Sequence, residues 1–517
     1  MADTSSKPFS DPYPSLLTHQ REVSLLSSTG ALLGWDQETM LPPGGHAFRT
    51  DQLAQLARLT HEMATDPRVG DWLAACEADA GLSDVGLDSG VNLRAWRHAY
   101  DRATKLPAEL VVAFSEATSQ AKTHWAEARR ENDYDRFAPW LDRIVSLCRE
   151  QAACYGWDRA GGGEAWDALA EGYEPGLTAA AVERVFTPLR GRLVALIDRL
   201  MGVSQAPDDA FNKLELPVDQ QQSFVRSVSQ AVGFDFNRGR LDVSAHPFCS
   251  GTHYADVRLT TRFHRDNFND ALGSTLHETG HGLYEQGLPP EHVGTPRGQA
   301  AGLSIHESQS RLWENQVGRS RAFWTWCHPR LVQHFGGPAA GYSADQMYAA
   351  ANRVSPSLIR VEADEATYNL HIMVRFELER ALMSGELEAA DLPAAWNEKY
   401  RQTLGVEVVG GDAQGCLQDI HWSMGAIGYF PTYTMGSLYS AQFFEAARAA
   451  LGGADALDQQ FAAGRFGPLL GWLGEQIHTK GQTHYAADLC EAVTGNPLSA
   501  DPLLRHLEAK LLPLYGL

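Results

Sequence analysis

No stretch of this sequence approaches the ~18–20 uninterrupted apolar residues that a membrane-spanning helix requires, so an integral membrane protein is not expected. The opening MADTSSKPFSDPYPSLL has no basic stretch followed by an apolar run, and no secretory signal is read there. Positive charge is in short supply: 43 Lys and Arg stand against 64 Asp and Glu, a formal net charge of −21. A surface that acidic repels phosphate backbones, which excludes nucleic acid as an expected partner. Cysteine is sparse as well. The seven (Cys76, Cys148, Cys154, Cys249, Cys327, Cys416, Cys490) are scattered, odd in number and without the short spacing of a zinc knuckle or redox motif. They read as reduced thiols in a cytoplasmic protein. There is no glycine-rich phosphate loop, so no nucleotide is expected, and no internal repeat or long low-complexity segment.

What is present is helix. Apolar residues recur at three- and four-residue steps over Leu53–Ala64, Leu110–Glu131, Ala179–Met201 and Ser437–Leu451. Ser355-Pro356 reads as a cap followed by proline at the first helical position, opening a helix that Gly385 should end. Convincing strand alternation is confined to 253–263, where Val257, Leu259 and Thr261 share one face. Glycine and proline cluster at 42–45, 161–163, 287–298, 336–341 and 409–415, which read as loops. The fold class is therefore all-α with a small β element. At 517 residues the chain exceeds the usual single core, so two packed lobes or one large helical body with a cleft are the natural readings. The thirteen tryptophans read as core.

The chemistry sits in DNFNDALGSTLHETGHGLYEQG, which contains His277-Glu278-Thr279-Gly280-His281. On a helix, residues four apart lie ~40° apart around the axis and ~6 Å apart along it. Both imidazoles then face one side and can chelate one ion. Glu278 lies ~100° round from His277, where a general base for a metal-held water should stand. Gly280 and Gly282 each cost a helix interior about 1 kcal/mol, which suggests that something approaches the backbone closely. A catalytic zinc needs a third protein ligand and an open position. After a Gly/Pro-rich loop, SIHESQSRLWENQ reads as a returning helix, on which Glu307, Glu314 and His306 are all possible third ligands.

The chain resembles the carboxypeptidase Taq family of thermostable metallocarboxypeptidases. Besides the HETGH segment, His246-Pro247-Phe248 is similar to the family's HPF motif and Asp256–Thr260 to its DxRxT motif. His306-Glu307-Ser308-Gln309 fits HESQ, Ile359–Asp364 fits IRxxAD, and Gly415–Trp422 fits GxxQDxHW. Trp35–Met40 is similar to the family's opening segment, so the likeness runs from about residue 30 to the C-terminus. Cys249, just after HPF, is an unexpected thiol and suggests thiol sensitivity near the site.

The resemblance implies a large two-lobed, saddle-like helical fold around a deep groove, with a small β element near the active site. Residues 1–517 are read as one catalytic domain, in which about 1–120 form a helical part placed to cover the groove. It implies a homodimer, one Zn2+ per chain (or Co2+), and release of single amino acids from peptide C-termini with broad specificity. Glu307 becomes the third ligand beside His277 and His281. Glu278 activates the zinc-held water and then passes its proton to the leaving amine. Arg360 is the candidate for the substrate's terminal carboxylate, because a planar fork of donors suits it. Asp364, one turn on, would orient it, and Arg258 and Arg262 compete for the role. Tyr429, Tyr433 and His421 are candidates for stabilising the oxyanion, with the tyrosines read in a loop; His246 is a candidate for binding substrate. Asp419 reads either as a carboxylate that orients a ligand imidazole or as a helix cap. The rivals are an endo-acting zinc oligopeptidase and a helical binding scaffold with a degenerate motif.

Overall fold

The computed structural model describes residues 11–517. The first ten, which carry most of the segment read for a signal, lie outside the described residues. Helix makes up 70 % of the described residues, which also hold one small three-stranded sheet. Among the described residues no helix is long and apolar enough to cross a membrane.

Local sequence explains most helix ends. The helix Ala179–Met201 starts where the Thr178 hydroxyl accepts from the Ala181 amide, satisfying one of the donors a helix start leaves over. Ala108–Glu131 ends on Asn132 in the left-handed conformation, φ 56°. His46–Ala64 and Pro431–Ala450 begin earlier than their apolar periodicity suggested. The glycine–proline run at 336–341 contains a short helix, Gly337–Ala340.

The largest departure lies at Ser355-Pro356. The chain there is irregular, Arg360–Glu362 forms a single 3-10 turn, and the long helix begins only at Tyr368. Asp364 is the reason. Its carboxylate accepts from the Ser355 amide at 2.9 Å, the Ala366 amide at 2.9 Å and the Thr367 hydroxyl at 2.9 Å. That folds the segment back on itself before the helix starts. The helix ends where expected, on Gly385 at φ 85°.

The sheet comprises β1 (Gly239–Val243), β2 (Cys249–His253) and β3 (Asp256–Thr261), in the order β1-β3-β2. β3 is central, parallel to β1 and antiparallel to β2. Val257, Leu259 and Thr261 are buried, as the alternation predicts. Their face receives the helix Phe268–Gly287, where a β-carbon on Gly282 would lie 2.8 Å from Leu259 and 2.7 Å from the Phe234 ring.

One continuous core runs from Ala121 to Tyr515. The N-terminal helices have a separate small core of Leu16, Val69, Leu73, Cys76, Leu93 and Trp96. They are fastened to the main body by polar and aromatic contacts. Trp35 lies under the guanidinium groups of Arg240 and Arg258, and Arg297 reaches Asp88 at 2.9 Å.

Candidate metal centre and carboxylate site

The helix Phe268–Gly287 carries His277 and His281 on one face, and the helix Leu303–Arg311 brings Glu307 to them. Two glycines make that approach possible. A β-carbon on Gly280 would lie 2.5 Å from the Gln309 carbonyl oxygen. One on Gly436, in the helix Pro431–Ala450, would lie 2.4 Å from Glu307 Cγ. The helix that bears Glu307 is thereby packed closely against both of these helices, with Glu307 itself against Gly436.

His277 Nε2 lies 3.5 Å, and His281 Nε2 3.4 Å, from Glu307 Oε2. The three donor atoms lie within 4.8 Å of one another, with Glu307 buried and both rings partly exposed. Two neutral imidazole nitrogens and one carboxylate are a donor set that suits zinc with a position left open, so the residues fit the divalent ion. Arg311 Nε donates to the other oxygen, Oε1, at 2.6 Å, leaving Oε2 to face the imidazoles. The Ser310 hydroxyl lies 3.0 Å from Oε2.

The electrostatics differ from residue to residue. Burial alone would push His277 down, but Glu307 and Glu314 outweigh it and raise its pKa to about 10. Burial, with His306 and His277 close by, pushes His281 down to about 3. Burial would raise Glu307, yet Arg311 and His277 hold it well below the usual carboxylate range. Glu278 is 5 % exposed, and burial pushes its carboxyl up to about 7. A carboxylate poised there can take and release a proton near neutrality.

His306 and Glu314, the other possible third ligands, sit behind the imidazoles instead. Glu314 Oε2 lies 2.9 Å from His277 Nδ1, and His306 Nδ1 lies 2.5 Å from His281 Nδ1.

A second cluster lies beside the first. Arg360 is buried in its 3-10 turn, and Asp419 rather than Asp364 orients it. Nε and Nη2 donate to Asp419 Oδ1 at 3.0 and 2.7 Å. Arg375, fully buried, donates from Nε to Asp419 Oδ2 at 2.6 Å. Burial pushes His421 down to about 4, so it is neutral at pH 7. Two guanidinium groups therefore share the Asp419 carboxylate, with the buried Glu379 carboxyl within electrostatic reach of Arg375. A guanidinium has five donors, and Arg360 spends its third contact on the Tyr368 hydroxyl at 3.3 Å. Donors on Nη1 and Nη2 stay available for an anion. Tyr368 links the clusters, because Arg311 lies over its ring at 4.0 Å.

Tyr433 belongs to the first turn of the helix Pro431–Ala450 rather than to a loop, whereas Tyr429 lies in irregular chain two residues before that helix. Their rings meet at 5.3 Å, and His421 Nε2 lies 3.3 Å from the Tyr433 hydroxyl. Burial raises Tyr433 well above its usual value, with Tyr429 adding to the shift, so its hydroxyl stays protonated and able to donate.

Arg258 and His246 do not join this cluster through any of these contacts. Arg258 is paired with Asp256 at 2.9 Å and stacked on Trp35, which is a structural engagement. Arg262 likewise pairs with Asp270 at 3.0 Å. His246 is exposed beyond the end of β1. Cys249 is set against thiol reactivity: burial and the Glu285 and Glu278 carboxylates push it well above its ordinary pKa. Sequence reasoning missed Arg311, Arg375 and Tyr368. Only Arg311 left a signal, one turn after Glu307 on the same helix.

The profile of the family described as "Carboxypeptidase Taq (M32) metallopeptidase" matches residues 15–511. "Thermostable carboxypeptidase 1" of Thermus thermophilus is 48 % identical over 509 residues, covering 98 % of this chain and 99 % of that protein. The protein of the same description from Pyrococcus furiosus is 34 % identical over 499 residues, covering 96 % and 98 %. Among solved structures, that of an M32 carboxypeptidase from Deinococcus radiodurans R1 superposes with a TM-score of 0.93 at 40 % identity, covering 98 % of this chain and all of that one.

Proposed function

The chain belongs to the carboxypeptidase Taq (M32) metallopeptidases and is a metallocarboxypeptidase, a hydrolase of peptide bonds, and from that premise we propose how its residues divide the work. His277, His281 and Glu307 hold one zinc ion per chain, for which cobalt can substitute. The ion supplies Lewis acidity that makes a water acidic and polarises the scissile carbonyl.

Glu278 takes the proton of the attacking water and returns it to the leaving amine. Burial supports this role, since a carboxyl near 7 serves in both directions. Arg360 receives the free carboxylate of the last residue, with Asp419 and Arg375 holding it in place. The Tyr433 hydroxyl, kept protonated, donates to the oxygen on which charge develops, and Tyr429 packs beside it. His421 steadies Tyr433. His246, exposed near the sheet, contacts the substrate further from the scissile bond.

Broad specificity, peptide substrates and a homodimer are supported by the family likeness. Seven free cysteines support a reducing, cytoplasmic location. The N-terminal helices from Pro12 to about residue 120, with a small core of their own, are suited to cover the approach to the site.

The observation that carries the reading is the pairing of a three-donor cluster with a buried arginine pair that shares the single carboxylate of Asp419. Its test is direct. One defined peptide is incubated with the purified protein, with and without chelator, and the products are weighed. Single residues lost from the C-terminus, and none after chelation, are expected. Internal fragments would overturn exo-action and favour an oligopeptidase.

A further inference from the structure

Two imidazoles that must each offer Nε2 have the other nitrogen committed, and in unequal ways. His277 Nδ1 meets Glu314 Oε2 directly. A carboxylate only accepts, so Nδ1 carries a proton, and in the neutral ring that holding an ion requires, Nε2 is bare. Arg319 Nη2 holds the other Glu314 oxygen at 3.0 Å.

His281 has no carboxylate behind it. Its Nδ1 lies 2.5 Å from His306 Nδ1, and His306 Nε2 lies 2.7 Å from Glu285 Oε1. With both rings neutral, one proton assignment satisfies both contacts and leaves His281 Nε2 bare. Glu285 accepts from His306 Nε2–H, and His306 Nδ1 accepts from His281 Nδ1–H. Any other neutral assignment sets two lone pairs or two N–H groups against each other, or puts the proton where the ion should bind.

The fold makes room for this relay. Glu285 lies one turn beyond His281 on the same helix, and β2 passes beneath it. A β-carbon on Gly251 of β2 would lie 2.3 Å from Glu285 Oε2 and 2.4 Å from its carboxyl carbon. Tyr284 packs against the His306 ring at 5.3 Å between centroids.

We propose that Glu285 and His306 are positioning residues for the ion, fixing the tautomer of His281 through an imidazole relay, as Glu314 does for His277 by direct contact. The inference rests on the reading that His277, His281 and Glu307 hold the metal. Partners of this kind orient a ligand imidazole, and their loss typically costs ~10–100-fold in metal affinity.

The test separates the relay from mere bulk. Glutamine at either position can reproduce it, since its amide both accepts and donates. Wild type, His306→Phe, His306→Gln, Glu285→Leu and Glu285→Gln are stripped of metal and titrated with Zn2+ against a chromophoric chelator. Absorption of the Co2+ forms and thermal melts of the metal-free forms are recorded alongside. His306→Phe and Glu285→Leu are expected to bind Zn2+ ~10–100-fold more weakly and to change the Co2+ spectrum. The two glutamine variants should stay close to wild type in both. Wild-type affinity and spectrum in His306→Phe and Glu285→Leu would overturn the relay, as would glutamine variants as weak as their apolar counterparts. If His306→Phe fails to fold, the Glu285 pair decides. A wild-type protein that takes up no Zn2+ would instead overturn the metal site itself.

Discussion

Gly280 faces the backbone of Gln309 so closely that a β-carbon on it would lie 2.5 Å from the carbonyl oxygen and 2.6 Å from the next Cα, that of Ser310. Neither atom can swing away as a side-chain tip would. Gly273, two turns earlier on the same helix, would meet nothing within 4 Å. The two glycines therefore predict opposite outcomes for one substitution. Gly273→Ala should stabilise the protein by up to ~1 kcal/mol, the ordinary helix preference for alanine. Gly280→Ala gains the same preference but must push two helices apart, at an overpacking cost of ~1–3 kcal/mol. It should lower the melting temperature and weaken metal binding, because Glu307 rides on the displaced helix. Thermal melts of both variants check this; a stabilised Gly280→Ala protein would contradict the close approach.

Glu278→Gln keeps the shape of the side chain and removes its basicity. Since His277, His281 and Glu307 are untouched, the metal content after purification should match wild type. Turnover should fall by ~10²–10⁴, the usual contribution of a positioned general base. Metal analysis and kcat on one peptide decide the matter together. Full activity would remove Glu278 from the mechanism, whereas loss of the metal would mean that its role is structural.

What could be read from the chain is what is local in it. His277 and His281 are one helical turn apart, so their shared face follows from helix geometry alone. The helix Ala179–Met201 carries its cap and its period within itself. The partners of Arg360 are not local. By spacing, the nearest carboxylate on a presumed helix was Asp364, but that side chain is consumed in stopping the helix. The actual partner, Asp419, lies 59 residues away and is fixed only by tertiary packing. The sheet divides in the same way. β3 alternates and was legible, whereas GRLDV and CSGTH carry little apolar alternation and are strands because β3 pairs with them. His306 and Glu314 were visible as candidate ligands. Only the geometry reveals that they meet Nδ1 rather than the ion.

Glu174 makes the stability of the protein pH-dependent in a way that can be isolated. It is buried, and its Oε2 accepts from the Ser304 amide at 2.8 Å, capping the helix that bears Glu307. Burial raises its pKa to about 7, against the lowering effect of the Ser304 hydrogen bonds. A carboxyl whose folded pKa is raised holds its proton in the folded state while the unfolded chain has released it. Its contribution is fully present below ~4.5 and is lost as pH rises through about 7. Glu174→Gln retains an acceptor for the Ser304 amide and carries no charge. It should therefore melt higher than wild type at pH 8, by the equivalent of ~1–3 kcal/mol, with no advantage at pH 4.5. Equal differences at both pH values would show that Glu174 is not neutralised by burial.

Arg360 can be tested without reference to overall stability. Removing it leaves Asp419 paired with Arg375 alone, and breaking a buried pair can cost ~3–5 kcal/mol, so a loss of activity by itself says little. A ratio is more informative. If the guanidinium receives the terminal carboxylate, wild type should cleave a free peptide far better than its C-terminal amide. The difference should be at least ~10–100-fold in kcat/KM, the equivalent of one charge-assisted hydrogen bond of ~1.5–3 kcal/mol. In Arg360→Met that preference should collapse, because the free peptide loses its contact and the amide never had it. Partial unfolding scales both rates alike and leaves the ratio intact. A variant that still prefers the free carboxylate as strongly as wild type would move recognition to another residue, and Arg375, already aimed at the same Asp419, would be the next to replace.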